Sequence, residues 1–152
     1  MQIPIFTDEA GWHGAQLIQA FKARGVNAHC VPLHACLINM SGQGPAISIP
    51  GHTALPQAVF VRGVAGGSLQ QVVTRLNVLH MLAMQGVLVY NDGRAIERAV
   101  DKAMTSFLLG MHGVKTPATW VCESRQQAQQ IRQEAQANQQ QLVIKPLFGS
   151  QG

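Results

Sequence analysis

The sequence has few charged residues. Lys, Arg, Asp and Glu together make up 12% of the 152 residues, about half of the roughly 25% found in an average soluble protein. The formal net charge is +4, yet no three basic residues occur in a row, whereas nucleic-acid-binding proteins usually gather lysine and arginine into a patch. We therefore expect no primary role in nucleic-acid binding. A small polyanionic ligand suits this modest positive charge equally well.

Cysteine is scarce too, and its spacing excludes several kinds of site. Cys30, Cys36 and Cys122 form no CxxC pair, and three thiols cannot all pair with one another. We interpret them as reduced thiols of a cytoplasmic protein. The six histidines form no HxxxH or HExxH pattern, so we expect no metal site within this chain. The GxSxG motif of serine hydrolases is also missing.

Long apolar runs are missing as well. No stretch approaches the ~18 residues that a membrane span needs, and residues 1–6 lack the basic start of a signal peptide. We therefore expect no membrane segment. Hydrophobic residues still make up 47% of the chain, which is enough for a core without disulfides.

Short apolar runs alternate with helical patterns, which is typical of an α/β fold with a mostly parallel sheet. We predict strands over residues 2–6, 26–31, 58–61, 87–90, 118–122 and 141–145, and a hairpin within 46–55 that turns at Pro50-Gly51. Predicted helices span residues 10–24, 69–85, 95–112 and 125–138. The second should bury Val72, Leu76, Leu79 and Ala83, and the third Ile96, Val100, Ala103, Phe107 and Met111. A domain boundary is expected between Tyr90 and Asp101.

Two loops after predicted strands offer polar candidates, because open α/β sheets bind ligands beyond the carboxyl ends of their strands. Asp8, Trp12 and His13 follow the first strand: the indole can cover a planar ring and the imidazole can meet an anion. The alternative is that Asp8 or Glu9 starts a helix, on which the two rings pack. Arg62 ends the strand 58–61 beside a glycine-rich loop, and its guanidinium suits a carboxylate or phosphate. It is equally well explained as an exposed strand-end arginine.

The last segment carries the most informative pattern. Lys145 ends a predicted strand, and Gly149, Ser150, Gln151 and Gly152 follow it. Glycines let backbone N–H groups close on phosphate oxygens, and the lysine adds a positive charge. The lysine precedes the glycines, so this is not the GxxxxGK[ST] loop. Taken by itself, the pattern also fits a plain surface turn.

Two blocks of sequence resemble ATP-grasp ligases of the RimK-like type. Residues 144–152 (IKPLFGSQG) are similar to the phosphate loop of that family. A second set of residues, upstream of this loop, resembles the same family and occurs in the same order. It consists of Asn91, residues 95–102 (AIERAVDK), Thr105, Leu108-Leu109, Gly113 and residues 116–119 (TPAT). The resemblance continues weakly through the N-terminal region, so it covers the whole chain.

The resemblance implies a Rossmann-like pre-ATP-grasp domain over residues 1–92 and the first part of an ATP-grasp domain over residues 93–152. It implies that Lys102 and Lys145 bind ATP phosphates and that Gly149, Ser150, Gln151 and Gly152 form a mobile flap over the nucleotide. Without the resemblance, Lys102 is better explained as a solvated lysine on the polar side of its helix. Mg²⁺, or Mn²⁺ in its place, would steady the phosphates.

The implied reaction forms an acyl-phosphate from a carboxylate and ATP, which the amine of L-glutamate attacks to give an amide. The implied acceptor is a protein C-terminus or a glutamate-tailed cofactor of the pterin or deazaflavin type, and the loop looks closer to the cofactor-modifying branch. We expect the catalytic groups mainly beyond Gly152, so this chain alone should be inactive. Self-association into a homo-oligomer is compatible with this family.

The alternative is a non-catalytic, flavodoxin-like or regulatory α/β binding module. It explains the first 90 residues equally well. It does not explain why the Asp101-Lys102 block and residues 145–152 follow each other in the order of the ligase family.

Overall fold

The computed structural model describes residues 2–42 and 46–147, and these divide into two compact units on either side of the Ala95–Ile96 bond. The strands are, in chain order, β1 (Gln2–Phe6), β2 (Asn27–Val31), β3 (Leu37–Asn39), β4 (Ala46–Ser48), β5 (Ala58–Val61) and β6 (Leu88–Tyr90). The helices are α1 (Gly11–Lys22), α2 (Leu69–Met84), α3 (Gly93–Val100), α4 (Lys102–Met111) and α5 (Arg125–Ala137), and a 3₁₀ turn spans Leu33–Ala35.

A parallel sheet organises the first unit. Its strand order is β2-β1-β5-β6, and all three pairings are parallel. β1 is a central strand buried from Ile3 to Phe6, which is why its sequence is a continuous apolar run rather than an alternating one. The four strands predicted for this region and the α/β fold are confirmed.

Helix α2 begins where the sequence predicts. The Ser68 Oγ accepts the N–H of Gln71 at 3.3 Å, and the Gln71 Oε1 accepts the N–H of Ser68 at 2.9 Å, which completes a capping box. The predicted buried face was partly wrong. Leu79 is buried, but Ala83 is exposed, and Val78 and Leu82 are buried beside Leu79. The face in contact with the core is thus turned by about one residue from the predicted stripe.

The predicted hairpin was wrong in its partner. β4 pairs in antiparallel fashion with β3, which precedes it in the chain, and Ile47 lies opposite Ile38. A tight turn does occur at Pro50-Gly51, where the His52 N–H donates to the Ile49 carbonyl at 3.0 Å. No strand follows this turn before β5. The turn residues were therefore recognised, but they end β4 instead of joining two strands.

The helix predicted over residues 95–112 is broken at Asp101. This residue has an extended backbone, and its carboxylate accepts the N–H of Met104 at 2.9 Å, so it caps α4. Ile96, Val100 and Ala103 are half-buried, whereas Phe107 and Met111 are exposed, contrary to the prediction. Helix α5 begins at residue 125 as predicted, and it too carries a capping box, in which the Ser124 Oγ accepts the N–H of Gln127 at 3.1 Å.

The strands predicted over residues 118–122 and 141–145 were wrong. Neither segment joins a strand ladder in the described part of the chain, and the Ile144 side chain is 95% exposed. Over residues 96–147, Ala135 is the one buried apolar side chain. An apolar run indicates side chains that favour burial, but a strand also needs a neighbouring strand to hydrogen-bond its backbone groups. The apolar composition of these two segments was therefore not sufficient to predict strands.

Candidate ligand site at the carboxyl edge of the parallel sheet

The order of the strands places a topological switch between β1 and β5. From β1 the chain moves outward to β2, then crosses to the other side of β1 to form β5 and β6. Open α/β sheets bind ligands beyond the carboxyl ends of the strands at such a point. The segments that flank this switch carry Asp8 after β1 and Arg62 after β5, which are two of the residues predicted from sequence.

Backbone hydrogen bonds fix the loops at this edge. The N–H groups of Arg62 and Gly63 both donate to the Phe6 carbonyl, at 2.9 and 3.2 Å. On the other side of β1, the Thr7 N–H donates to the Val31 carbonyl at 3.1 Å, and the Thr7 hydroxyl donates to the Glu9 carbonyl at 2.9 Å. The segment that carries Asp8 is therefore anchored, while the Arg62 side chain is exposed.

Asp8 contacts a histidine that sequence reasoning missed. Its Oδ1 atom lies 2.9 Å from the Nδ1 atom of His34, which sits on the 3₁₀ turn after β2. An ionised carboxylate only accepts hydrogen bonds, so Nδ1 must donate, and the Nε2 atom is left for another partner. The position of His34, three residues beyond the end of a predicted strand, is the sequence signal that could have found it.

Trp12 and His13 lie in the first turn of α1. Their rings meet edge to face with centroids 5.1 Å apart, and both side chains are exposed. The helix has Ala10 at its N-cap with no side-chain hydrogen bond, so neither Asp8 nor Glu9 caps it, contrary to the alternative interpretation. The described contacts join Trp12 and His13 to each other, and none joins either of them to Asp8 or Arg62.

A cleft of about 290 Å³ opens between the 3₁₀ turn and the first half of α2. It is lined by Leu33, His34, Cys36, Gln70, Gln71, Thr74, Arg75 and Val78. No carboxylate belongs to this lining. Burial raises the pKa of the Cys36 thiol to about 11, so at neutral pH Cys36 presents a neutral thiol to the cleft.

Arg75 was also missed from the sequence. Its Nη1 atom donates to the carbonyls of Ala65 and Gly66, at 2.8 and 2.7 Å, and thus fixes the glycine-rich loop after β5. Gly67 lies against the same side chains: a Cβ atom there would stand 2.5 Å from the Gln71 Oε1 and 3.3 Å from the Arg75 Nη1. Arg75 lies four residues after the capping Gln71, which places both side chains on the same face of the helix. This spacing is the sequence signal that could have identified Arg75.

In the second unit, a backbone contact joins the two blocks that resemble ATP-grasp ligases. Lys102 is the first residue of α4, and its N–H donates to the Leu147 carbonyl at 3.2 Å. Lys145, two residues before Leu147, is exposed. Gly149, Ser150, Gln151 and Gly152 lie outside the described residues. The stretch that leads into the predicted phosphate loop therefore returns to the amino end of the helix that carries Lys102.

The donor set at this point suits phosphate more than a metal. Lys102 and Lys145 are cationic side chains, which favour anions, while the Asp101 carboxylate caps the N-terminus of α4. Within residues 2–42 and 46–147, no three His, Cys, Asp or Glu side chains come together as a metal-binding group. The helices of that same part of the chain are too short or too polar to cross a membrane.

A family model described as the RimK PreATP-grasp domain matches residues 1–96. The chain belongs to this RimK pre-ATP-grasp family. It is 31% identical over 151 residues to a tetrahydromethanopterin:alpha-L-glutamate ligase of Methanosarcina acetivorans, a match that covers 96% of the chain and 45% of that protein. A probable alpha-L-glutamate ligase of Thioalkalivibrio sulfidiphilus is 30% identical over 154 residues, covering 100% of the chain and 49% of the relative.

Two solved structures of ATP-grasp proteins share the fold of this chain. The RimK domain protein ATP-grasp from Sphaerobacter thermophilus matches with a TM-score of 0.66 at 20% identity, over 88% of this chain and 46% of that one. The ATP-grasp ligase PsnB, complexed with a minimal precursor, Mg and ADP, matches with a TM-score of 0.59 at 18% identity, over 88% and 51%. The chain spans about half the length of these relatives.

Proposed function

We propose that this RimK-family chain is the N-terminal part of an ATP-dependent carboxylate–amine ligase that adds L-glutamate to an acceptor carboxylate through an acyl-phosphate. The hydrogen bond from the Lys102 N–H to the Leu147 carbonyl carries the proposal, because it joins the two sequence blocks that a nucleotide phosphate would need together. Relatives named as glutamate ligases match both units of the chain, at 96% and 100% coverage. That extent disfavours the alternative of a stand-alone binding module.

The nucleotide is assigned to the second unit. Lys102 and Lys145 contact the ATP phosphates, and Gly149 to Gly152 close over them. Lysine supplies a compact positive charge for this task. Mg²⁺, or Mn²⁺ in its place, would supply positive charge to the phosphates, with its protein ligands expected mainly beyond this chain.

The substrate side is assigned to the carboxyl edge of the parallel sheet. Arg62 stands at the topological switch, where its exposed guanidinium can meet a carboxylate. Asp8 orients His34, and the exposed rings of Trp12 and His13 are further candidates for substrate contact. The acceptor is a protein C-terminus or a glutamate-tailed cofactor, and the Methanosarcina relative's name favours a pterin cofactor.

In this proposal, substrate binding and nucleotide binding belong to the two domains predicted from sequence. Residues 1–92 form the substrate-side pre-ATP-grasp domain, and residues 93–152 form the first part of the ATP-grasp domain. Cys30, Cys36 and Cys122 are free thiols, which fits a reducing compartment, so we place the enzyme in the cytoplasm. Self-association into a homo-oligomer stays a prediction.

ADP release by the full-length gene product tests the proposal. With ATP, Mg²⁺, L-glutamate and a panel of acceptors, release should require both glutamate and one acceptor. Lys145→Ala should reduce it strongly, whereas Lys115→Ala, an exposed lysine in the same unit, should leave it unchanged. Release with no acceptor, or equal loss in both variants, would contradict the assignment of Lys145.

A further inference from the structure

The cleft between the 3₁₀ turn and α2 presents hydrogen-bond donors. The Gln71 Oε1 is occupied by the Ser68 N–H, so what this side chain offers a ligand is its amide nitrogen. Arg75 donates twice through Nη1, which leaves its Nε and Nη2 hydrogens. The Thr74 hydroxyl donates to the Gln70 carbonyl at 2.8 Å, so only its oxygen lone pairs stay available.

Two features make this donor set a prepared one. The Arg75 guanidinium is fixed by two backbone carbonyls of the glycine-rich loop, and His34 is fixed by Asp8 at 2.9 Å. Gly67 leaves room for Gln71 and Arg75 where a Cβ atom would collide with the Gln71 amide. Side chains that are oriented before a ligand arrives lose less conformational entropy on binding.

We propose that this cleft binds an anionic group of the acceptor substrate, a carboxylate or a phosphate remote from the carboxylate that reacts. Arg75 and Gln71 donate to the anion, while His34, held by Asp8, lines the cleft beside it. The word "acceptor" rests on the ligase activity proposed above; the anion site itself rests on the cleft. At about 290 Å³ the cleft lies just below the ~300 Å³ of small-molecule pockets, so it holds part of a ligand.

Gln71→Glu is the sharpest variant for this site. A glutamate keeps the oxygen that accepts the Ser68 N–H, and Ser-x-x-Glu is itself a capping box, so α2 should stay intact. The variant replaces two amide donors with a negative charge. Its matched control is Gln127→Glu, which makes the same change in the Ser124 capping box of α5.

Steady-state kinetics of the full-length gene product give the first readout. Gln71→Glu should raise the KM for the acceptor about ten-fold or more, as loss of a charge-assisted hydrogen bond does. The KM values for ATP and glutamate should stay within about two-fold, and Gln127→Glu should leave all three unchanged. An unchanged acceptor KM in Gln71→Glu would overturn the proposal.

A titration of the 152-residue chain followed by NMR gives a readout that needs no catalysis. The probes are the dipeptide L-Glu-L-Glu, the uncharged dipeptide L-Gln-L-Gln, and inorganic phosphate. Shifts of the backbone amides of residues 66–75 with L-Glu-L-Glu but not with L-Gln-L-Gln support a carboxylate ligand. Shifts with phosphate alone support a phosphate-bearing ligand, and in both cases Gln71→Glu should abolish them.

The two experiments separate the two proposals. If the wild-type protein releases no ADP with any acceptor but the titration succeeds, the ligase function falls and the anion site stands. If ADP is released but the acceptor KM of Gln71→Glu matches that of the wild type, the anion site falls and the ligase function stands.

Discussion

Arg75 and Gly66 are joined by a 2.7 Å hydrogen bond from the guanidinium Nη1 to the backbone carbonyl. The same nitrogen also reaches the Ala65 carbonyl at 2.8 Å. One side chain of α2 thus holds the loop after β5 against the carboxyl edge of the sheet. This contact gives the glycine-rich loop after β5 a fixed position relative to α2.

Arg75→Met should therefore loosen the loop. The free energy of unfolding should fall by about 1–3 kcal/mol, because two hydrogen bonds to a charged group are lost. Water can replace the bond at the exposed Gly66 carbonyl, so the loss should lie near the lower end of this range. Urea unfolding measures the loss. The control is Arg24→Met, whose Nη1 bonds a single exposed carbonyl, that of Ala20, at 3.0 Å. Equal effects of the two variants would show that the loop contact contributes nothing special.

The capping box of α2 should make a measurable contribution to the free energy of unfolding. Ser68→Ala removes the acceptor for the Gln71 N–H and should lower the free energy of unfolding by about 1 kcal/mol. Ser68→Asp restores an acceptor and should recover most of that loss. Thermal unfolding of the three proteins decides the matter; an alanine variant as stable as the wild type would be inconsistent with the cap.

Gly93 has no room for a side chain. A Cβ atom there would stand 2.8 Å from Cε1 of His80, so Gly93→Ala must displace the imidazole and should cost about 1–3 kcal/mol, as overpacking does. Gly63→Ala is the matched control, because nothing lies within 4 Å of its Cβ position. Chemical denaturation of both variants gives the comparison, and similar losses would refute the steric argument.

These elements show what the sequence could predict and why. The runs that form β1 and β5 are short, apolar and punctuated by turn residues, so local pattern alone locates them. Both capping boxes were predictable because each is a contact between residues three apart in sequence. Tertiary contacts, in contrast, leave no such local signal. Asp8 was predicted as a candidate, but its partner His34 lies 26 residues away.

The errors have the same physical origin. Asp101 was placed inside a helix because the apolar spacing continues through it, yet its carboxylate stabilises a new helix start. Residues 118–122 and 141–145 have strand-like composition, but composition cannot supply a neighbouring strand. Arg75 looked like one polar position of an amphipathic helix, and only the path of the loop after β5 shows what it binds.

His52 should make the stability of the protein depend on pH. Burial lowers the pKa of its imidazole, and the stacked ring of His29, 5.1 Å away, lowers that pKa further. Below the ordinary histidine value of about 6.5, the unfolded chain binds a proton that the folded one resists, so stability falls as pH falls. Unfolding measured from pH 7.5 to 5 should show a shallower decline in His52→Gln; identical declines would exclude this role for His52.

The Cys36 thiol should react slowly with alkylating reagents. With a pKa of about 11, its thiolate fraction at pH 8 is about a hundred-fold below that of an ordinary cysteine. Iodoacetamide followed by peptide mass spectrometry should therefore label the exposed Cys122 well before Cys36. Labelling of Cys36 first would mean that the cleft is more open than its geometry indicates.

The most direct test of the ligase assignment is the identity of the product. The full-length gene product is incubated with ATP, Mg²⁺, L-glutamate and an acceptor with a free carboxylate, and the acceptor is then examined by mass spectrometry while ADP is measured in parallel. We predict that the acceptor gains glutamyl residues and that each gain is matched by one ADP. ADP formed without any change in the acceptor's mass, or a glutamyl acceptor formed with AMP instead of ADP, would contradict the account.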